Sequence, residues 1–305
     1  MIDILLSTYN GENFLRDQLD SLLSQTYKDF RILVRDDCSN DKTIMILNEY
    51  KYLYPEKIVL IGNNDKNLGS TKSFFEILRH SDAEFIMFCD QDDVWKNDKL
   101  EIFLNYIKEK SLDITKPILI HSAVEVVDSN LCTLEETTNY FNKNKCGMEK
   151  TFTWQIFQND VTGCTVMINA PMKNIINQMD YNKNKIIQHD WFLAQVAYLC
   201  NGKFFIPVPT IKYRQHSNNV LGARKLSFIQ RIMYKISKGV SYPFYDQVES
   251  LLNCNIPISK EMSKLANEFI SIRKKNKIRR IMWHINHNFL REGNIFYKIY
   301  QLILC

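Results

Sequence analysis

The eight cysteines of the chain, Cys38, Cys89, Cys132, Cys146, Cys164, Cys200, Cys254 and Cys305, form no CxxC pair. Several sit in strand-like or helix-like apolar runs, which fits reduced thiols in a cytosolic protein and argues against a disulfide framework. Also missing is any uncharged apolar run near the roughly 18 residues of a membrane-spanning helix. The N-terminus enters a strand, IDILLSTYN, without the charged, apolar and small-residue segments of a secretory signal. A soluble or peripheral protein is therefore expected. No internal repeat is visible, and STYNGENF is not a glycine-rich, basic phosphate loop. A nucleotidyltransferase, which also joins an α/β sheet to carboxylate-bound Mg²⁺, would usually carry one.

At 305 residues the chain suits one large α/β domain, or one domain with an appendage, and its 45% hydrophobic content is ordinary for a globular protein. The formal net charge of +5 is unevenly shared. Residues 226–305 hold 13 Lys and Arg against 5 Asp and Glu, while residues 1–225 hold 26 against 29. The basic excess belongs to the tail alone.

Apolar runs of strand length alternate with stretches of helical spacing. Ile2 to Leu6 leads through STYNGEN into a helix with Leu15, Leu19 and Leu22 on one face. FRILVRDD, KIVLIGN and EFIMFCD follow as strands, separated by the helical stretches CSNDKTIMILNEYKYLY and STKSFFEILRHS. Such alternation predicts a parallel, doubly wound sheet, whose ligands bind at the carboxyl ends of the strands. Further on, DKLEIFLNYIKEK reads as a helix, ILIHSAVEVVD and VTGCTVMIN as strands, and LEETTNYFNKNKCGMEK as a surface loop. IIQHDWFLAQVAYLC is a helix opening on His189 and Asp190, FFIPVPTIKYRQHSNNV a strand entering a polar loop, and the pattern from about Leu226 is helical and basic.

Polar clusters gather at the predicted strand ends. In FCDQDDVW, Asp90, Asp92 and Asp93 follow an apolar strand. A helix cap needs one acceptor, whereas three carboxylates beside a dry strand need a countercharge, and hard oxygens suit Mg²⁺ or Mn²⁺ together with phosphate. After the second strand, Asp37 could accept the imide N–H of a pyrimidine base, while Asp41 and Ser39 could cap the next helix. Asp190, at a helix start, is a candidate general base or a plain N-terminal carboxylate. His216 and Arg214 in YRQHSNN suit a diphosphate, Arg by bidentate hydrogen bonds and His as ligand or donor, unless they are merely solvated. For His284 and His287 a surface position is favoured, since no third metal ligand stands nearby. The stretch SIRKKNKIRRIMWHINHNFLREGNIFYKIYQLILC mixes cations with large apolar residues. It suits a helix on anionic lipid or one packed on the main domain, and shows no nucleic-acid-binding module.

Taken together and in order, STYNGENFLRDQLDSLLSQTY, ILVRDDCSNDKT, NLGSTKSFFEIL, FCDQDDVWKNDKL, TGCTVMIN, HDWFLAQVA and KYRQHSNNV resemble the inverting glycosyltransferases of family 2. The resemblance covers roughly residues 1–222, and LVRDD, NLGSTKSF, CDQDDVW and HDW are similar to bacterial rhamnosyltransferases of polysaccharide assembly. It implies the GT-A fold, a Rossmann-like nucleotide-diphospho-sugar transferase α/β fold, over residues 1–225, with a basic helical extension over 226–305. It implies a nucleoside contact at Ser7 and Tyr9, a base contact at Asp37, Asp92 as direct metal ligand and Asp90 nearer the ribose or a metal-bound water. Asp190 falls at the family's catalytic base, and His216 and Arg214 at its late diphosphate loop.

The implied reaction moves a sugar, L-rhamnose from a dTDP donor or a hexose from a UDP donor, to a hydroxyl of a glycan or lipid-linked glycan. A cytoplasmic location is expected, peripheral at the inner face of the plasma membrane. A non-catalytic scaffold of the same fold would keep the strands but lose the chemistry. Two departures stand out: Cys38 replaces a glycine found in many members, and Ala123 stands where relatives often carry Asp.

Overall fold

The computed structural model describes residues 1–62, 66–136, 151–179, 186–216, 243–254, 256, 258–287 and 289. Its first half follows the expected alternation: β1 (Ile2–Thr8), α1 (Leu15–Leu23), β2 (Phe30–Asp36), α2 (Thr43–Leu53), β3 (Ile58–Leu60), α3 (Ser70–Arg79) and β4 (Phe85–Cys89). These strands pair in parallel in the order β3-β2-β1-β4. Side chains alternate along each strand, so Ile4, Leu6, Ile32, Val34 and Met87 enter one core with α1 and α2, while Leu5, Leu33, Ile86 and Phe88 enter another beneath α3.

Beyond β4 the sheet is mixed, which corrects the expectation of an all-parallel sheet. The remaining strands are β5 (Val94–Trp95), β6 (Leu119–Val127), β7 (Thr133–Glu136), β8 (Met167–Asn169) and β9 (Lys203–Arg214). β8 runs antiparallel between β4 and β6, β9 is parallel to β6, and β5 is antiparallel to β9. A 3-10 turn at Gly163–Thr165 precedes β8, so VTGCTVMIN is less strand than its apolar run predicts. The stretch expected as a surface loop begins within β7, and its residues 137–150 lie outside the described set.

The helices of the second half are α4 (Lys99–Glu109), α5 (Phe152–Phe157), α6 (Ala170–Asn177), α7 (His189–Leu199), α8 (Phe244–Leu252), α9 (Lys260–Ile272) and α10 (Lys277–Asn286). Tyr245, Val248, Leu251 and Phe269 from α8 and α9 share one core with Phe157, Phe192 and Val196. Phe157 meets Phe269 and Phe289 edge-on, at 5.9 and 5.4 Å between ring centres. The C-terminal helices therefore pack on the sheet-bearing part, while the expected boundary at 225/226 lies outside the described residues. His284, expected at the surface, is buried, with Nδ1 2.8 Å from the Phe289 carbonyl; His287 lies exposed against Trp283.

Candidate functional site

A cavity of about 920 Å³ opens at the carboxyl ends of β1, β2 and β4. Ser7, Tyr9, Asp37, Asp90, Asp92, Asp190 and His216 all line it. Of the expected site residues, Arg214 alone does not appear in its wall.

At one end, the turn after β2 is saturated with internal bonds. Asp37 is buried, and its carboxylate accepts from the Arg35 guanidinium and, at 2.7 Å each, from the backbone N–H groups of Leu68 and Gly69. The Asn67 side chain donates to the Asp37 carbonyl. Of roughly four lone-pair sites on a carboxylate, three are taken by these described donors, two on Oδ1 and one on Oδ2. Gly69 takes φ +77°, a conformation that favours glycine. Ser7 donates to Ser73, which also accepts from Arg35. Asp41 holds the start of α2 through the Thr43 N–H, whereas Ser39 is bound to Asp36.

Tyr9 is half exposed, and the Gln91 side-chain amide pairs with both sides of its backbone, accepting at 2.8 Å and donating at 2.9 Å. Gln91 thus ties the turn after β1 to the acidic turn after β4. A Cβ on Gly11 would come within 2.3 Å of Gln91 Oε1, so any other residue there would push the Gln91 amide aside and disturb this tie. Nothing in DQDD marked Gln91, because its partner is a backbone 82 residues away.

The acidic turn itself is short of donors. Asp90 is partly buried, and desolvation, reinforced by Asp92 and Asp190, pushes its carboxyl up to about 7. Asp92 Oδ2 lies 2.8 Å from His216 Nε2. Asp93 is fully buried; one oxygen accepts the Arg214 N–H at 2.9 Å, and burial drives its carboxyl well above the usual range. Asp90, Asp93 and Cys164 offer ligand atoms within 4.8 Å of one another. Yet Asp93 and Cys164 do not line the cavity, and burial holds the Cys164 thiol protonated, well above its ordinary value. Asp90, Asp92 and the His216 imidazole do face the cavity, and are the donors there from which a hard divalent cation could reach a phosphate.

Arg214 departs from its expected role as a diphosphate ligand. Its buried guanidinium donates to the carbonyls of Asp92 and Ser129 and to the Asp17 carboxylate, and lies 4.5 Å over the Phe14 ring. The arginine holds the acidic turn from behind, a placement set by the pairing of β9 with both β5 and β6. Lys99 was also missed. It is fully buried, donates to the Cys164 carbonyl at 2.7 Å and sits 3.6 Å over Trp95. Desolvation lowers its ammonium to about 8, opposed by nearby Asp93 and Asp90 among others. Its signal was a lysine on the same helical face as Phe103 and Ile107.

Asp190 stands at the first turn of α7, mostly buried. Oδ1 accepts the Trp191 N–H at 2.7 Å and Oδ2 the Asn159 side chain at 3.1 Å, which fixes its rotamer. Desolvation outweighs these bonds and raises its pKa to about 6. Beside it, His189 rests on Phe74 and Phe88 and is held neutral by burial, its pKa near about 3. A Cβ on Gly163 would stand 2.8 Å from His189 Nε2, so this glycine leaves room for the ring.

Asp37, Asp90, Asp92 and Asp190 line one cavity at the carboxyl ends of the strands, in a chain whose residues 3–177 match the profile of Glycosyl transferase family 2. The chain belongs to glycosyltransferase family 2. This family 2 enzyme is 32% identical over 230 residues to the dTDP-rhamnosyl transferase RfbG of Shigella flexneri, covering 72% of this chain and 74% of that protein. It is 26% identical to a poly(ribitol-phosphate) beta-glucosyltransferase of Bacillus spizizenii, over 75% of this chain but 39% of the relative. Among solved structures, S. aureus TarS 1-349 in complex with UDP-GlcNAc superposes with a TM-score of 0.53 at 15% identity, covering 89% of this chain and 72% of that one. The mannosyltransferase PcManGT of Pyrobaculum calidifontis, in complex with GDP-Man and Mn²⁺, gives 0.54 at 13%, covering 99% and 85%. These structures support the GT-A fold of this glycosyltransferase, with its helical C-terminal region.

Proposed function

We propose that this glycosyltransferase is an inverting, metal-dependent enzyme that transfers L-rhamnose from dTDP-L-rhamnose to a hydroxyl of a cell-surface polysaccharide or lipid-linked glycan. The observation that carries the reading is Asp190, lining the same cavity as Asp90 and Asp92 with its pKa raised to about 6. Such a base is ionised at neutral pH yet stronger than an ordinary carboxylate.

The donor nucleoside lies along the edge of Ser7, Tyr9 and Asp37, where Oδ2 takes an imide N–H. Asp37 bonds uracil and thymine alike, so it does not choose between UDP and dTDP. Asp90, Asp92 and His216 would hold Mg²⁺ or Mn²⁺, and a divalent cation bound there would supply Lewis-acid stabilisation of the leaving diphosphate. Asp190 accepts the acceptor's hydroxyl proton as that oxygen attacks the anomeric carbon on the face opposite the diphosphate. One displacement inverts configuration, so a β-linked donor yields an α-glycoside. Asn159 and the Trp191 N–H keep the base in place.

Rhamnose is favoured by the relative from Shigella, named for a dTDP-rhamnosyl donor. A UDP-hexose donor is the second reading, favoured by the Bacillus glucosyltransferase and the UDP-GlcNAc complex of TarS. Donor hydrolysis by purified protein, with dTDP-L-rhamnose and several UDP-sugars, with Mn²⁺ and then EDTA, tests both. EDTA-sensitive release of dTDP from the rhamnose donor supports the first reading. Release from a UDP-sugar alone replaces it with the second, and metal-independent release removes the cation from the mechanism. A lipid-linked acceptor would hold the enzyme at the cytoplasmic face of a membrane.

A further inference from the structure

Among the described residues, α10 has two apolar sides. One faces the core, where His284 is buried and Trp283 lies 6.0 Å from Phe269 and 5.0 Å from Phe289 between ring centres. The other faces away. Ile278, Met282 and Ile285 recur at a spacing of four and three and are 73%, 51% and 48% exposed. That spacing sets them in one stripe along the helix. A helix that needed only to cap the core would carry polar residues there.

The surroundings of the stripe are basic. Lys277 and Arg279 flank it, Lys274 and Lys275 stand exposed in the turn before the helix, and no Asp or Glu occurs between Glu268 and Glu292. Arg273 belongs elsewhere, paired with Asp246. No described helix is long and apolar enough to cross a membrane. An apolar stripe bordered by these exposed cations matches a surface that is apolar just below a layer of negative charge.

We propose that the outward face of α10 docks on an anionic lipid surface, with Ile278, Met282 and Ile285 below the headgroups and Lys274, Lys275, Lys277 and Arg279 among them. This rests on the lipid-linked acceptor proposed above only for its purpose, since the binding needs no donor or acceptor. The α8 and α9 helices are its mount: they fix α10 to the domain that holds the cavity.

Co-sedimentation of the full chain with phosphatidylcholine vesicles, with or without phosphatidylglycerol, tests the proposal. Tighter binding to the anionic vesicles is expected, by about tenfold or more, weakening as salt is raised. The triple change Ile278→Asp, Met282→Asp and Ile285→Asp should abolish it. The set Lys274→Gln, Lys275→Gln, Lys277→Gln and Arg279→Gln should remove only the preference for phosphatidylglycerol. Both variants should hydrolyse donor at the parent rate without lipid, which shows that they fold and separates this test from the catalytic reading. Equal sedimentation of parent and variants overturns the proposal. So does a parent dimer, seen by analytical ultracentrifugation, that the aspartates dissociate while vesicle binding is absent; the stripe would then be a contact between copies.

Discussion

The two ends of the cavity hold carboxylates in opposite states. Asp37 is met by a guanidinium and two backbone N–H groups, and these bonds fix the turn at 67–69. On the far side Asp190 accepts from the Trp191 N–H and the Asn159 amide, both neutral donors, and partly buried Asp90 stands beside Asp92; burial raises their pKa values to about 6 and about 7. Asp37 and Asp190 are both buried carboxylates at a strand or helix terminus, so burial does not separate them. The countercharge of Arg35 does. A carboxylate with a cationic partner holds shape, while one with only neutral donors or acidic neighbours retains affinity for a proton or a cation.

The sharpest way to break this contrast is Asp190→Asn. Loss of the base should lower kcat by about 10²–10⁴-fold, measured by donor turnover with acceptor, while circular dichroism stays that of the parent. In the parent, kcat/KM should rise with pH through about 6 and level off, as Asp190 ionises. Stability should run the other way. The folded pKa lies above the unfolded carboxylate value, so the native state holds an extra proton between about 4 and 6. The contribution of Asp190 is full below about 4 and lost as pH rises through about 6. Metal-free thermal melts should therefore show a shallower fall with pH in Asp190→Asn than in the parent. An equal fall would mean that the carboxylate is not desolvated.

Asp37→Ala tests the saturated end. It leaves the buried Arg35 and two N–H groups without their acceptor, and should cost about 3 kcal/mol or more in urea unfolding. Its signature is lost stability, where that of Asp190→Asn is lost turnover with stability kept. If Asp37→Ala were as stable as the parent, the bonds around it would be incidental and its role would be contact with the base alone.

Much of this site was legible in sequence because β1, β2 and β4 are parallel strands with apolar runs, and parallel strands bring their carboxyl ends to one edge. Asp190 was legible for a similar reason, as an acid that opens a helix. Direction was not legible in the second half. The Met167–Asn169 strand is only three residues long and follows a 3-10 turn, and nothing in its composition distinguishes antiparallel from parallel pairing. That ambiguity hid the true position of Arg214, whose strand pairs with β5 and so brings the guanidinium under the acidic turn. Gln91 was illegible because its partners are backbone atoms, which carry no sequence signal.

Gln91→Ala would sharpen the contrast at the point where the two ends are tied. Losing both bonds to Tyr9 frees the turn after β1 relative to the acidic turn. Under the proposed function, KM for the donor should rise several-fold, about 1 kcal/mol, with kcat nearly kept. Steady-state kinetics over a donor series checks this. A fall in kcat at unchanged KM would instead assign Gln91 to the reacting end.

The smallest expected effect lies in the saturated end and has the opposite sign. Cys38 takes φ +69°, the left-handed region that favours glycine. A side chain there costs about 1–2 kcal/mol. The turn keeps its shape because Asp36 accepts from the Ser39 N–H and hydroxyl and from Thr8. Cys38→Gly removes the steric cost and returns about 0.5–1 kcal/mol through the greater freedom of the unfolded chain. A net gain of roughly 0.5–1 kcal/mol follows, readable in urea unfolding, with donor turnover unchanged. A loss of stability would show that contacts of the half-buried cysteine side chain outweigh the strain. Strain in the turn after β2 can thus be relieved without touching the reaction, whereas neutralising Asp190 removes the group that the proposed reaction uses as its base.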